Sequence, residues 1–410
     1  MRQGKRAEIT APAETRGGAR LVVQTLPSSY SYASDLCGTR GDLNLTRSSP
    51  KRLYLIPVLS KALDILELLQ SEHGPLTLEA IYQRTNISKT TVYRILKTFV
   101  HRGYLAQSQD GLYRLVTRPR KARFGFGSES AEMPFSEAVT QSLKTAASGA
   151  GVDLMVLDNR YDAATALRNA DEFVANRVDL VIEFQIDQRV APVIADKING
   201  AGLPLVAVDI PHPHATFFGV DNYRVGFEAG ECLAQYAKEV WGGKVRWVLG
   251  LDIEEAGPLV QSRITGAFEA IGSSLPELPK EFLVRMDGRG MRDKSYHLVL
   301  DFLRRHPKDR GILIAAATDT SALGAVRAAR ELKRERHIAI VGQDCISEAL
   351  EEMSRSHSCL IGSVSHEAQS YGPRLIQLGL ALLSGQRVPP YNYVEHKLVT
   401  ASWARQAAHS

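Results

Sequence analysis

Eight short, nearly unbroken apolar runs recur at residues 123–127, 153–157, 179–183, 203–209, 245–249, 311–316, 337–341 and 360–364, with helix-length amphipathic stretches between them. A strand that lacks polar alternation must be buried on both faces. Strands of that kind, alternating with helices, build parallel sheets covered on each side. The pattern makes residues 122–402 an α/β unit, and its two successive runs predict two lobes. The first helix is expected from Phe135, the next over 163–175 and the next over 190–199. In open α/β sheets ligands bind beyond the carboxyl ends of the strands. Ser128, Glu129, Asn159, Glu183, Gln185, Asp209, Asp221, Asn222, Thr318, Asp319, Gln343, Asp344 and His366 stand there, with Phe135, Phe184 and Tyr223 as flat apolar faces. Carboxylates, amides and hydroxyls beside aromatic rings suit a small polyhydroxylated ligand.

The charge of the chain is distributed unevenly. Residues 51–121 carry 12 Lys and Arg against 5 Asp and Glu, and residues 122–410 carry 31 against 36. A basic front on a mildly acidic body points to a polyanion-binding head. Residues 1–50, rich in Gly, Ser, Thr, Arg and Ala, read as disordered, without the apolar core of a secretory signal. A cytoplasmic location without membrane contact is therefore expected. Cys37, Cys232, Cys345 and Cys359 are too scattered for a disulfide scaffold or a paired-cysteine metal site and read as reduced thiols.

Within the basic front, residues 60–69 form one amphipathic helix, stopped by Gly74-Pro75. Thr77 caps a short helix with Leu78, Ile81 and Tyr82 inward. A three-residue turn follows, and Ser88 caps a third helix whose apolar stripe is Val92, Ile95, Leu96 and Phe99. Two short alternating strands, 104–106 and 112–116, flank the turn at 108–111. Three helices and a β-hairpin make a winged helix-turn-helix at 51–116. Opposite the core stripe, the third helix offers Ser88, Lys89, Thr90, Thr91, Tyr93, Arg94 and Lys97. Short hydroxyl side chains at its first turn can reach base edges, and the basic ones can hold phosphates of duplex DNA. Residues 117–121 form a basic, proline-containing linker, and 403–410 a tail.

The segments VLSKALDILELL, LTLEAIYQRTNISKTTVYRILKTFVHRGYL and GLYRL resemble the winged head of IclR-type transcription regulators over about residues 54–116, which implies a dimer on DNA. The IclR-type effector domain does not follow. Residues 122–402 instead resemble type I periplasmic sugar-binding proteins and the ligand domain of lac-repressor-type regulators. The matching pieces include Pro134-Phe135, Asp209, Gly219-Val220-Asp221-Asn222 with Gly226, Arg263 with Gly266, the run from Thr318 to Gly324, Val341-Gly342-Gln343-Asp344 and Gly362-Ser363-Val364-Ser365-His366. The resemblance implies that Phe135 stacks on a sugar and that Asp209, Asn222, Arg263, Thr318, Asp344 and His366 bind its hydroxyls. It also implies lobe crossovers near 221, 366 and 391, with lobe one at 122–220 plus 367–390 and lobe two at 221–366 plus 391–402. The ribose pattern is broken by Met133, Glu183, Ile210, Thr318 and His366, so a sugar other than ribose is expected. Glu183 could select a cation or an amino sugar.

The bland readings make Asp319 a helix cap, Asp221 a loop-orienting residue and Arg263 a surface partner of Glu254 or Glu255. His212 and His214 have metal-like spacing without a third ligand. No P-loop, GxSxG, HExxH or dinucleotide fingerprint occurs, so no enzyme activity and no cofactor are expected. The expected function is a ligand-controlled, homodimeric, DNA-binding transcription regulator. The alternative is the sugar-binding component of a transporter with an unrelated N-terminal extension.

Overall fold

The computed structural model describes residues 56–72, 74–108, 110–116 and 121–408, which fall into two compact units meeting at Leu115–Val116. The disordered reading of residues 1–50 and nearly all of the linker lie outside the described residues.

The first unit is α1 (Pro57–Ser71), β1 (Leu76–Thr77), α2 (Leu78–Arg84), α3 (Lys89–His101), β2 (Leu105–Gln107) and β3 (Leu112–Leu115). The strands form an antiparallel sheet in the order β1-β3-β2; β1, two residues long, escaped the sequence pattern. Thr77 accepts a hydrogen bond from the Ala80 N–H, a side-chain N-cap. Ser88 occupies the N-cap position of α3 but caps no amide, because its hydroxyl pairs with that of Thr91. Ile65, Leu69, Ile81, Ile87, Val92, Ile95, Leu96, Leu105 and Tyr113 make the core. Tyr82, expected inward, is exposed, and so is Leu63 of the amphipathic α1.

The second unit has two sheets. Lobe one orders its strands β14-β8-β7-β6-β4-β5, all parallel. These are β4 (Arg123–Ser128), β5 (Asp153–Asp158), β6 (Leu180–Phe184), β7 (Leu205–Val208), β8 (Thr216–Gly219) and β14 (Tyr391–Tyr393). Helices α4 (Pro134–Ala150) and α12 (Ala368–Leu383) pack together in this lobe, as do α5 (Ala163–Ala175) and α6 (Ala191–Gly200). Lobe two orders β10-β9-β11-β12-β13-β15, parallel except for the antiparallel edge strand β15. Its strands are β9 (Trp247–Asp252), β10 (Leu283–Asp287), β11 (Ile312–Ala316), β12 (Ile338–Gln343), β13 (Leu360–Ser365) and β15 (Lys397–Thr400). Here α7 (Asn222–Trp241) packs on α8 (Gly257–Ser274), and α9 (Arg292–Arg305) on α10 (Asp319–Glu331). Every residue of β6 and β11 is inside, as their composition requires, whereas β5, at the edge of its sheet, is half-buried rather than covered on both faces. Because β14 pairs with β8, residues 391–393 belong to lobe one, and the last crossover falls between Tyr393 and Lys397 rather than near 391. The expected tail is also structured as far as Ala408: α13 (Ala401–Ala408) packs on α11 (Ser347–Ser354) through buried Ala401 and Ala404.

The α7–α8 contact is unusually close. A Cβ on Gly226 would lie 1.9 Å from the Arg263 carbonyl oxygen, one on Gly266 2.3 Å from that of Tyr223, and one on Gly230 2.4 Å from that of Ala267. Only hydrogen at these positions lets the two backbones meet. Gly226→Ala should force the helices apart and destabilise the domain by about 2–3 kcal/mol. On the same α8, Gly272→Ala meets open space and should stabilise by up to about 1 kcal/mol through helix propensity. Urea unfolding of the two variants measures both, and equal effects would contradict the close approach.

Candidate functional site

The carboxyl ends of both sheets converge on a cleft between the lobes of the second unit. Its cavity of about 50 Å³ is lined by Glu129, Met133, Phe135, Tyr161, Phe184, Gln185, Ile186, Asp209 and Ile210 from lobe one. Lobe two adds Ile253, Val260, Arg263, Thr318, Thr320 and Asp344. Away from the hinge, two hydrogen bonds between described residues span the lobes: Gln188 N–H to the Glu255 carbonyl at 2.9 Å, and the Tyr161 hydroxyl to the Arg289 carbonyl at 2.8 Å.

Of the nine candidate ligand residues, Phe135, Gln185, Asp209, Arg263, Thr318 and Asp344 line this cavity. Asn222, His366 and Glu183 stand behind it. Arg263 is buried and does not reach Glu254 or Glu255 at the surface. Its Nε donates to Asn222 Oδ1 at 2.6 Å and its Nη1 to the Ala317 carbonyl at 3.0 Å. Asn222 thus positions Arg263 from behind. His366, with both ring nitrogens unpartnered, lies 3.4 Å from Asp344 Oδ1; burial and the Arg263 charge hold its pKa well below the ordinary value, so it is neutral. Its ring meets Phe135 edge to face, as do Phe184 and Tyr371, and the three fix the Phe135 ring at the cleft wall. Thr318 caps α10 by accepting from the Ser321 N–H.

Asp319, expected to be that cap, is instead a buried brace accepting from the Ser363 hydroxyl and the Ile346 N–H. Asp221 does cap α7, by accepting from the Arg224 N–H. Tyr223 lies at the surface bonded to Glu269, away from the cleft. His212 is buried, with Nδ1 2.8 Å from the Ile210 carbonyl, and among the described residues no group of three His, Cys, Asp or Glu is placed to hold a metal. The described cysteines, Cys232, Cys345 and Cys359, are free thiols whose pKa values burial raises.

Glu183 is wholly buried. Its Oε1 accepts from Asn159 Nδ2 at 2.8 Å, its Oε2 has no partner, and it fills the space a Cβ on Gly127 would occupy. Sequence reasoning placed Glu129 among the strand-end groups and Met133 and Ile210 among the departures from the ribose pattern without assigning them ligand contacts, and it did not single out Tyr161, Ile186, Ile253, Val260 or Thr320. Electrostatically the cleft is acidic. Burial pushes Glu129 and Glu183 up to about 8, with the Asp209 charge adding to the rise at Glu129. Burial pushes Asp209 to about 6, against the pull of Arg263. Asp344 is raised well above the carboxylate range, by burial and by Asp319 beside it. Asp209 and Asp344 sit at strand ends with φ of 59° and 106°, backbone that Asp tolerates better than most residues.

In the helix-turn-helix unit, Ser88, Lys89, Thr90, Tyr93, Arg94 and Lys97 are exposed along one face of α3, and Thr91 is half-buried. Lys89 forms an ion pair with Glu79, and Lys97 donates to Gln107 Oε1 at 3.1 Å.

A carboxyl with a raised pKa keeps its proton in the folded chain after the unfolded chain has lost it. Between pH about 4.5 and 8, folding stability should therefore fall as pH rises, by up to roughly 1.4 kcal/mol per pH unit for each such group. Glu183→Gln keeps the acceptor for Asn159 without the charge. Its unfolding free energy, measured by urea at pH 5, 6.5 and 8, should decline less steeply than the parent's. Parallel declines would show that Glu183 ionises normally.

The family profile of the periplasmic binding protein domain matches residues 124–387, and that of the IclR helix-turn-helix domain matches residues 58–109. A D-ribose/D-allose-binding protein of Pseudomonas aeruginosa is 25% identical over 241 residues, 56% of this chain and 71% of that protein. Among solved structures, a periplasmic solute-binding protein of an ABC transporter from Actinobacillus succinogenes, with bound D-allose, superposes with TM-score 0.62 at 19% identity, covering 70% of this chain and all of that one. A solute-binding protein from Bacillus halodurans with bound myo-inositol superposes with TM-score 0.61 at 17% identity, over 72% of this chain and 99% of that one. Likeness at such identities establishes the two-lobed fold. With most of its length matched by one profile, the chain belongs to the periplasmic binding protein domain family and carries an IclR helix-turn-helix domain in front.

Proposed function

We propose that this protein is a DNA-binding transcription regulator, homodimeric on its operator, whose operator affinity is set by a small polyhydroxylated ligand held between the two lobes. The observation that carries the reading is the presence, in one chain, of a helix-turn-helix whose third helix exposes hydroxyl and basic side chains, and of a two-lobed domain whose cleft gathers buried polar groups. The relatives' own ligands, D-ribose, D-allose and myo-inositol, support a sugar or polyol as the ligand class. Thr90 and Ser88 at the first turn of α3 are assigned to base edges, and Arg94 and Lys97 to phosphates. The ligand contacts are assigned to Phe135, Gln185, Asp209, Arg263, Thr318 and Asp344, with Asn222, His366 and Glu183 supporting them. No catalytic step is proposed, since both matched domains bind rather than transform.

A ligand gripped from both lobes favours their closure, and its leverage on DNA cannot exceed its differential affinity for the two forms. Couplings of this kind are worth about 1–3 kcal/mol, 5- to 150-fold in operator affinity. The second reading, a transporter's sugar-binding component, is favoured by the names of the similar structures and leaves the helix-turn-helix without a role.

Asp344→Asn, which suits the positive φ, should abolish the ligand response of operator binding while leaving ligand-free DNA affinity within about twofold. Arg94→Ala should do the reverse: it keeps ligand binding and flattens the log–log salt dependence of DNA binding by about 0.9. Gel shifts and calorimetry on the two full-length variants separate these behaviours. Failure of the parent to bind any sequence in a randomised duplex pool at low salt would remove the DNA-binding role. Unaltered ligand affinity in Asp344→Asn would move the ligand out of the cleft.

A further inference from the structure

Three carboxyl groups line the cleft, those of Glu129, Asp209 and Asp344, and among the described residues Arg263 is the one cationic side chain facing them. Two donor positions of Arg263 are already spent on Asn222 and the Ala317 carbonyl. His366 brings no positive charge, because it is neutral. Glu129, only 9% exposed, has no hydrogen bond to its carboxylate from any described residue. Asp209, 7% exposed, packs its unpartnered Oδ1 against Gly219, and Gln185, 2% exposed, leaves its amide donor Nε2 unpartnered. The wall therefore gathers three carboxyl groups around one guanidinium, and the three cannot all ionise there without a further cation. Buried groups in that condition are costly unless a partner arrives.

We propose that the ligand of this cleft is a polyhydroxylated molecule bearing a protonated amine, its ammonium directed to Glu129 and Asp209 and its hydroxyls to Gln185, Arg263, Thr318 and Asp344. This inference rests on the reading of the cleft as the effector site and adds the chemical class of the effector. An ammonium offers three donors and a full positive charge to oxygens that lack both. A neutral sugar would have to leave these carboxyls either protonated or ionised without a counter-charge. Burial and Asp209 raise the Glu129 pKa to about 8, Asp344 and Tyr161 also face it, and Arg263 opposes the rise. A second cation at that place acts in the same direction as Arg263 and expels the proton from Glu129.

The test uses the full-length chain and matched probes: D-glucosamine, D-galactosamine, D-mannosamine and 1-amino-1-deoxy-D-glucitol, each against its hydroxyl counterpart and, for the hexosamines, against the N-acetyl derivative. Thermal shift and calorimetry at pH 7 give affinity, and two buffers of different ionisation enthalpy give the proton count. The expected result is at least one amine bound tenfold or more tighter than its hydroxyl and N-acetyl partners, with close to one proton released per site. Glu129→Gln, or Asp209→Asn as an independent variant, should bring the amine-to-hydroxyl ratio to within about twofold and abolish the proton release. A hydroxyl compound bound as tightly as its amine, or an amine preference untouched in both variants, overturns the inference and leaves the regulator reading standing. Silence of every amine and hydroxyl probe overturns the cleft as a sugar-like effector site, and this inference with it.

Discussion

The buried guanidinium of Arg263 is the cation around which the polar groups of the cleft are arranged. It stands among Glu129, Asp209 and Asp344, and its field opposes the upward pKa shifts that burial imposes on all three. It also helps keep His366 neutral. An arginine so enclosed needs its donors met, and Asn222 and the Ala317 carbonyl meet two of them. That arrangement exists because α7 and α8 approach within backbone contact at Gly226, Gly230 and Gly266. Three missing side chains in the helix interface therefore set the position of the one charged donor in the cleft.

The acidic excess around that arginine has a consequence for the free energy of the lobes. Each carboxyl kept out of water favours its protonated form, so the cleft stores a proton-dependent cost that a positively charged partner relieves. At the cleft mouth two direct hydrogen bonds between described residues, through Tyr161 and Gln188, join the lobes. Apolar side chains from both lobes, Ile186 and Ile210 with Ile253 and Val260, are buried in one cluster beside them, so hydrophobic burial as well as hydrogen bonding holds the lobes together.

The helix-turn-helix unit follows a simpler logic. Its core needs only the apolar stripes of α1, α2 and α3 with Leu105 and Tyr113 from the hairpin. The opposite side of α3 is thereby left free of packing demands, and hydroxyl and basic side chains can occupy it without cost to stability. Surface pairs such as Lys89–Glu79 add little, since both partners are solvated.

The sequence alone determined the order and kind of most elements, because continuous apolar runs and 3.6-residue stripes report burial directly. It determined the Thr77 cap, the exposed face of α3, the place of Phe135 at the start of α4 and the strand-end places of Gln185, Asp209, Thr318 and Asp344. Edge strands β1, β10, β14 and β15 escaped, as did the four-residue β8 between β14 and β7, being short or half-exposed and so weakly patterned. Tertiary structure decided which strand-end residues face the cavity. Glu183 lies on a buried strand, tucked against Gly127 and Asn159, whereas Gln185, two residues on, has passed the end of the sheet and reaches the cleft. It put Arg263 inside rather than at the surface, because the glycines of α7 and α8 admit it there. It brought Tyr161 into the site from a loop whose path no local period encodes, and it left the cleft with more buried carboxyls than cations, a balance that exists only once two distant runs of strands face each other.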